Sequence, residues 1–541
     1  MSTADPIYLD YAATTPVDPL VVEAMNECLG SEGEFANPAS ATHLPGRRAL
    51  ARVEHARAQV AGLIGADPSE IIFTSGATES NNLALLGIAR ANADRGRHIV
   101  SSRIEHRAVL DPCRRLEKDG FALSYLQPDR AGRIALEELI AALRPDTSLV
   151  SLMHVNNEIG VVQDIAAIAA VCQAREIPLH TDAAQSVGKL PVDVGALKVD
   201  FLSFTAHKIY GPKGIGALYV RSGSRPRLGP VSFGGGQERG LRPGTLATHQ
   251  IVGFGVACEL AGRRGGDPER LAELRDQLWR GLVSLGGVHF NGESAVRIPD
   301  ILSASFEGVE GESLISGLPE LAVSTGSACS SATGEPSYVL RALGRSSSLA
   351  QSTLRFSLGR GTTAADIERT VGAVSREIRR LRAISPEQIS QKIATDTVIC
   401  PHYRLPIEFD PLSPQIRQLF TALPQAGVID VAAGDVVRGE AGSIAQEAWV
   451  RFHLLITDGS VRDARFQAYG CPHTLAVTAW LTGQLPGRRL SEVLVDGAAM
   501  WADALSVPIE KLGRLLVVED ALRACRITQR SISEDDVDFA H

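Results

Sequence analysis

From about residue 48 to 220, short apolar segments alternate with stretches whose apolar residues recur at helical spacing, the rhythm of βαβ units building a mostly parallel sheet. The runs 71–73, 149–153, 178–180 and 201–204 read as strands, and 49–64 and 78–93 as helices. In such sheets ligands gather beyond the carboxyl ends of the strands, so polar residues at those ends are candidates for chemistry. After the glycines 234–236 a helical region begins near Leu246, and a second α+β section runs from about 285 to 383. Its last helix, about 365–381, ends among Arg379, Arg380 and Arg382. Residues 385–412 carry Pro386, Pro401, Pro406 and Pro411 with little periodicity, which predicts a linker. From 413 a smaller unit begins. It predicts a hairpin, 448–456 with 461–469, turning at Asp458-Gly459, and helices at 474–484 and 515–526. The expected order is a catalytic-sized unit over 1–384, a linker over 385–412, a second unit over 413–530 and an acidic tail over 531–541.

Length supports this division, because 541 residues exceed what one apolar core organises. A net charge of −8 gives no electrostatic reason to expect nucleic acid or an anionic membrane as partner. The first residues lack the basic and apolar stretches of a leader, and no apolar run is long enough to span a bilayer, so the expected location is the cytoplasm. Eight cysteines (28, 113, 172, 258, 329, 400, 471 and 525) are scattered without a CxxC pair. That spacing argues for reduced thiols and against a disulfide framework or zinc ribbon.

Lys208 closes Ser203-Phe204-Thr205-Ala206-His207-Lys208, where an apolar strand meets a basic tip. A partly desolvated amine there can form a Schiff base with an aldehyde cofactor. Cys329, in Ser324-Thr325-Gly326-Ser327-Ala328-Cys329-Ser330-Ser331, is a thiol in a small-residue loop able to swing toward what that aldehyde holds. Thr74-Ser75-Gly76-Ala77-Thr78-Glu79 follows a strand and opens a helix, so the amides of Ala77 and Thr78 can hold a phosphate, with Thr205 and His207 as further donors. Asp182, at a strand end, can pair with a protonated pyridine nitrogen, and Gln185 can bond a ring hydroxyl. His106 can stack on a ring and move protons, while Asn157 and Arg355 suit a substrate carboxylate. Each residue also has an ordinary reading, as a solvated cation, a helix cap, a core histidine or a surface ion pair. Their convergence favours catalysis.

At these motifs, and nearly continuously from Tyr8-Leu9-Asp10-Tyr11-Ala12-Ala13-Thr14-Thr15-Pro16 to about Pro386, the chain resembles the cysteine desulfurases, pyridoxal phosphate enzymes of the class V aminotransferase group. The loop around Cys329 resembles the group I, housekeeping or nitrogen-fixation type. The resemblance implies the fold-type I architecture: a large parallel-sheet domain of about 15–260, and a small α+β domain built from the N-terminal segment and about 261–384. It implies pyridoxal 5′-phosphate on Lys208, Asp182 as ring partner, His106 as stacking acid/base, and Ala77, Thr78, Thr205 and His207 at the phosphate. Thr245 would join them from the other subunit of a homodimer. Asn157, Gln185 and Arg355 would fix ring and substrate, and L-cysteine would give alanine and a Cys329 persulfide for an acceptor such as an iron-sulfur scaffold. A selenocysteine lyase or another class V aminotransferase remains an alternative.

The last unit resembles the U-type iron-sulfur scaffold, most clearly over Asp463-Ala464-Arg465-Phe466-Gln467-Ala468-Tyr469-Gly470-Cys471. The resemblance places Cys471 and Asp435 at cluster-ligand positions, whereas Ala433, Gly513 and Arg514 stand where other ligands belong. One thiolate and one carboxylate fall short of the usual four-cysteine ligation, and His473 and Cys525, candidates to contribute, stand at no family position. The expectation is therefore a degenerate scaffold-like domain acting in docking, in regulation or in sulfur relay through Cys471, with a true cluster-building scaffold as the alternative.

Overall fold

The computed structural model describes residues 5–264, 267–325, 336–385, 412–494 and 496–535. Cys329, most of the linker and residues 536–541 lie outside the described residues. A seven-stranded sheet organises the first half, in the order Ile71–Thr74, Gly216–Val220, Phe201–Thr205, Leu179–Asp182, Thr147–Ser151, His98–Ser102, Ala122–Leu126. All neighbours are parallel except Gly216–Val220, which runs antiparallel to both of its partners. Helices cover both faces, so inner strands such as Thr147–Ser151 and Phe201–Thr205 are buried along their whole length, their serines and threonines included. The helix Ala77–Ala91 leaves the first strand through Gly76, whose φ of 150° suits glycine. The neighbouring strand presses close there: a Cβ on Gly216 would lie 2.7 Å from Gly76 Cα.

A second, antiparallel sheet of four strands, Ser324–Thr325, Thr353–Ser357, Ile301–Phe306 and Val288–Phe290, packs against the helices Pro268–Val283 and Ala364–Ile384. The N-terminal segment belongs to this smaller unit, since Ile7–Tyr8 pairs parallel with Leu321–Ala322 and Asp10 bridges to Ser357.

Residues 412–535 form a three-stranded antiparallel sheet, Asp435–Ser443, Ala448–Thr457 and Ser460–Tyr469, with the helices Pro414–Ala422, Pro472–Thr482 and Leu512–Asp535. The helix reaching Asp535 extends into the stretch expected as an acidic tail. Its apolar face is continuous with that of the small unit: Leu314, Leu318 and Leu381 join one core with Phe420, Phe466 and Leu475. Arg417 Nη1 donates to Ser316 O at 2.6 Å and Arg380 Nη1 to Phe420 O at 2.9 Å, so polar contacts cross the same boundary. Among the described residues no helix is long and apolar enough to cross a membrane.

Candidate active site

A cleft of about 530 Å³ opens at the carboxyl ends of the large sheet. Its wall includes Ala77, Thr78, His106, Asn157, Asp182, Gln185, Thr205, His207, Lys208 and Arg355. Thr245 is exposed and does not line it, and Cys329 lies outside the described residues.

Lys208 ends the short 3₁₀ turn Ala206–Lys208 that follows the strand Phe201–Thr205. The N-terminal segment braces this turn: Thr15 N and Thr15 Oγ1 both donate to His207 O, at 2.9 and 3.0 Å. Burial, with the charges of Lys208 and Lys213, pulls the His207 imidazole down to about 4, so it sits neutral beside Thr14 Oγ1 at 3.2 Å. The Thr205 hydroxyl gives its proton to Ile215 O at 3.2 Å, so its lone pairs face any ligand unless it rotates. At the helix start, Gly76 makes no side-chain cap, which leaves the first-turn amides of Ala77 and Thr78 for an anion.

Asp182 is buried at the end of its strand, with Oδ2 accepting from Asn81 Nδ2 at 2.7 Å and Oδ1 from Ala184 N at 2.9 Å. His106 caps the helix Arg107–Lys118, its Nδ1 accepting from Ala108 N at 3.1 Å. Burial lowers its pKa, and the Lys208 charge lowers it further against the opposing pull of Asp182. The ring is thus neutral with its proton on Nε2. Behind it, burial pushes the Glu105 carboxyl up to about 8, and Glu105 Oε1 accepts from Ser102 and from Met153 N at 2.9 Å each.

Arg355, on the strand Thr353–Ser357, is 3% exposed. Its Nη2 meets Asp10 Oδ1 at 2.6 Å and its Nη1 donates to Asn157 O at 2.9 Å. Three polar atoms of the cleft residues are buried without a hydrogen-bond partner: Arg355 Nε, Asn157 Oδ1 and Asn81 Oδ1. Such orphans are uncommon in a finished core and fit a cleft whose ligand supplies the missing partners.

Asn81, Asp10 and Lys189 were not among the residues singled out from sequence. Asn81 follows Ala77 by one helical turn, a spacing that places it toward the same strand ends. Lys189 Nζ donates to Gln185 Oε1 at 3.1 Å and pairs with Asp300 Oδ2 at 2.8 Å, while Gln185 Nε2 donates to Ala12 O at 2.8 Å. With one N–H engaged by Ala12 O, Gln185 has its second N–H as the donor left for the cleft.

Residues 7–370 match the class-V aminotransferase family, and residues 413–528 match the NifU-like N terminal domain. The cysteine desulfurase IscS of Pectobacterium atrosepticum is 56% identical over 401 residues, covering 74% of this chain and 99% of the relative. That of Escherichia coli strain K12 is 55% identical over the same length. The chain belongs to the cysteine desulfurases of the class-V aminotransferase family. Among solved structures, a NifS-like protein superposes with a TM-score of 0.65 at 36% identity, covering 69% of this chain and all of that one. SspA in complex with cysteine gives 0.59 at 40%, covering 66% of this chain and all of that one. Desulfurases of this family use pyridoxal 5′-phosphate, and the orphaned atoms and first-turn amides of this cleft suit that group and an amino acid beside it.

In this desulfurase Lys189→Met frees the Gln185 amide to turn over. The expected result is a displaced pH titration of the bound cofactor's visible absorbance and a fall of about tenfold in kcat/KM, as for a mispositioned contact group.

The C-terminal domain departs from the expected ligand positions. Asp435 is exposed at the start of its strand and pairs with Ile456, whereas Cys471 follows Tyr469, which pairs with Trp449. Trp449 in turn faces Gly442, seven residues along the strand from Asp435, roughly 24 Å at strand rise. Asp435 and Cys471 therefore stand at opposite ends of the sheet and form no common site. The hairpin register that pairs Trp449 with Tyr469, extended by one step of two, places Glu447 opposite Cys471. His473 is buried next to Cys471 with its Nδ1 unpartnered, and Cys525 lies buried in the helix Leu512–Asp535. Among the described residues no group of three or more His, Cys, Asp or Glu side chains is placed to hold a metal.

Proposed function

We propose that the protein converts L-cysteine to L-alanine and draws the sulfur off as a persulfide on Cys329, for delivery to an acceptor protein such as an iron-sulfur scaffold. The observation that supports this reading most is the cleft that gathers Lys208, Asp182, His106 and Arg355 around three unsatisfied buried atoms. Bound there, pyridoxal phosphate supplies an aldehyde for amines and a ring that withdraws electrons from the substrate carbon. Ala77, Thr78 and His207 hold its phosphate, with Thr205 once its hydroxyl turns from Ile215 O, joined by Thr245 of the partner subunit in a homodimer. Asp182 keeps a proton on the ring nitrogen, with Asn81 fixing the carboxylate. Gln185 donates its remaining N–H to the ring oxygen, and neutral His106 lies against the ring.

Arg355, with Asn157, binds the substrate carboxylate through its unpaired Nε edge. The amine of Lys208 takes the proton from the substrate carbon. The sulfur of Cys329 bonds to the substrate sulfur, the carbon–sulfur bond breaks with its electron pair left on carbon, and a proton returned to carbon completes alanine. The chain works in the cytoplasm, where thiols stay reduced. The NifU-like region serves as a docked, scaffold-like domain in place of a sulfur relay, because Cys471 is fully buried.

The test is stoichiometry. Purified protein loaded with cofactor and given L-cysteine and a thiol reductant is expected to yield alanine and sulfide in equal amounts. Pyruvate or another keto acid in place of alanine would return the chain to the transaminating alternative.

A further inference from the structure

Outside the cleft, a group of charged and nucleophilic side chains gathers where the C-terminal domain meets the small one. Arg514 stands in the first turn of the helix Leu512–Asp535. Its Nη2 bonds Glu447 Oε2 at 2.7 Å, and its Nη1 lies 3.6 Å from Glu310 Oε1 and 3.9 Å from Glu312 Oε2, both residues of the small domain. Nη1 makes no hydrogen bond of its own, and Cys471 is near enough for its sulfur to act on the guanidinium. Beside it Lys511 Nζ meets Glu312 Oε2 at 2.6 Å. Cys471 has no exposed surface, its Sγ lies 3.4 Å from Thr474 Oγ1, and the preceding Gly470 O accepts from Ser313 Oγ of the small domain at 2.7 Å. Tyr469 OH reaches Val309 O across the same boundary at 3.3 Å.

A cation in the first turn of a helix opposes the helix dipole, and burial of a guanidinium is unfavourable. Arg514 is nonetheless charged, as a guanidinium always is, and the carboxylate of Glu447 at 2.7 Å answers that charge with Glu310 and Glu312 just beyond. The arrangement places a positive centre among a sulfur and carboxylates, as a metal site does, yet the centre is a side chain that neither dissociates nor leaves a coordination position open.

We propose that Arg514 is a fixed-charge replacement for a metal centre: its guanidinium ties Cys471 and Glu447 to Glu310 and Glu312, keeps the C-terminal domain metal-free with its thiol sealed, and seats that domain on the small one. The proposal goes beyond the desulfurase reading and does not rest on it. A domain held this way is a resident part of the protein, and Cys471 becomes reachable only when the ionic seam opens.

The test uses the full chain under native conditions. Alkylation by N-ethylmaleimide is followed peptide by peptide at Cys471 and at Cys525, a second fully buried thiol of the same domain that serves as the reporter of its fold. In the wild type both are expected to be protected, and anaerobic incubation with Fe(II) or Zn(II) followed by desalting leaves no metal on the domain. Arg514→Ala is expected to speed modification of Cys471 at least ~tenfold with Cys525 unchanged, the signature of a local opening. Glu312→Lys, placed on the small domain, leaves the C-terminal domain's own sequence intact and is expected to expose Cys471 in the same selective way. Adding Lys511→Glu to it restores protection by reversing the pair.

Stoichiometric metal on the wild type that Cys471→Ser abolishes would overturn the proposal. So would continued protection of Cys471 in both single variants, loss of Cys525 protection in step with Cys471, or a double variant no better protected than Glu312→Lys.

Discussion

Lys208→Ala lowers alanine formation from L-cysteine by ~10⁴-fold or more, the upper end of what loss of a positioned base costs. The effect is large because one amine carries two roles: it is the anchor for the cofactor aldehyde and the acceptor of the substrate proton. The position is built for both. A fully buried strand delivers the 3₁₀ turn to the cleft, and the N-terminal segment ties the preceding carbonyl with two hydrogen bonds from Thr15. The neighbouring imidazoles His106 and His207, both shifted toward the neutral form by burial and by the Lys208 charge, add no competing cation. Rates of alanine production, with the visible absorbance of the bound cofactor as a second readout, check the outcome. Activity within tenfold of wild type would remove Lys208 from the chemistry.

Cys329→Ala is expected to cut sulfide release by ~10³-fold, the loss of a covalent nucleophile, while leaving the cofactor absorbance of the resting protein in place. Cys329 itself lies outside the described residues, but the chain on either side of it is fixed to the cleft. The strand Ser324–Thr325 pairs Ser324 with Arg355, the proposed carboxylate-binding residue. On the far side, Ser337 Oγ bonds buried Glu158, and Tyr338, a wall residue of the cleft, donates to Glu105 O at 2.7 Å. Sulfide measured in the presence of a thiol reductant decides the matter, and an unaltered rate would assign the nucleophile elsewhere.

Four of the seven strands of the large sheet were legible in the sequence because they are buried on both faces, so mostly apolar runs such as 71–73 and 201–204 stand out; His98–Ser102, Gly216–Val220 and the half-buried Ala122–Leu126 were not read as strands. Asp182 and Lys208 were legible by their place at the carboxyl ends of strands in a parallel sheet, where ligands gather. What also escaped were partners joined by the fold alone. Asp10 reaches Arg355 across 345 residues and Lys189 reaches Asp300 across 111, distances over which periodicity carries no information. The C-terminal site was misplaced by following the Ala-Gly-Asp run to Asp435. Counting outward from the Asp458-Gly459 turn along the hairpin leads instead to Glu447, which the register sets opposite Cys471. Arg514 read from sequence was only a missing ligand. Its contacts with Cys471, Glu447 and Glu310 give it a charge of its own to place, and that charge is visible only once the two domains are seen together.

The central claim is that sulfur leaves L-cysteine by bonding to one thiol of this chain. Cofactor-loaded protein mixed with L-cysteine without reductant, alkylated at once and digested, is expected to show one added sulfur atom on the peptide carrying Cys329 and on no other cysteine peptide. An unchanged Cys329 peptide alongside continuing alanine formation, or the added sulfur on a different cysteine, would contradict the account.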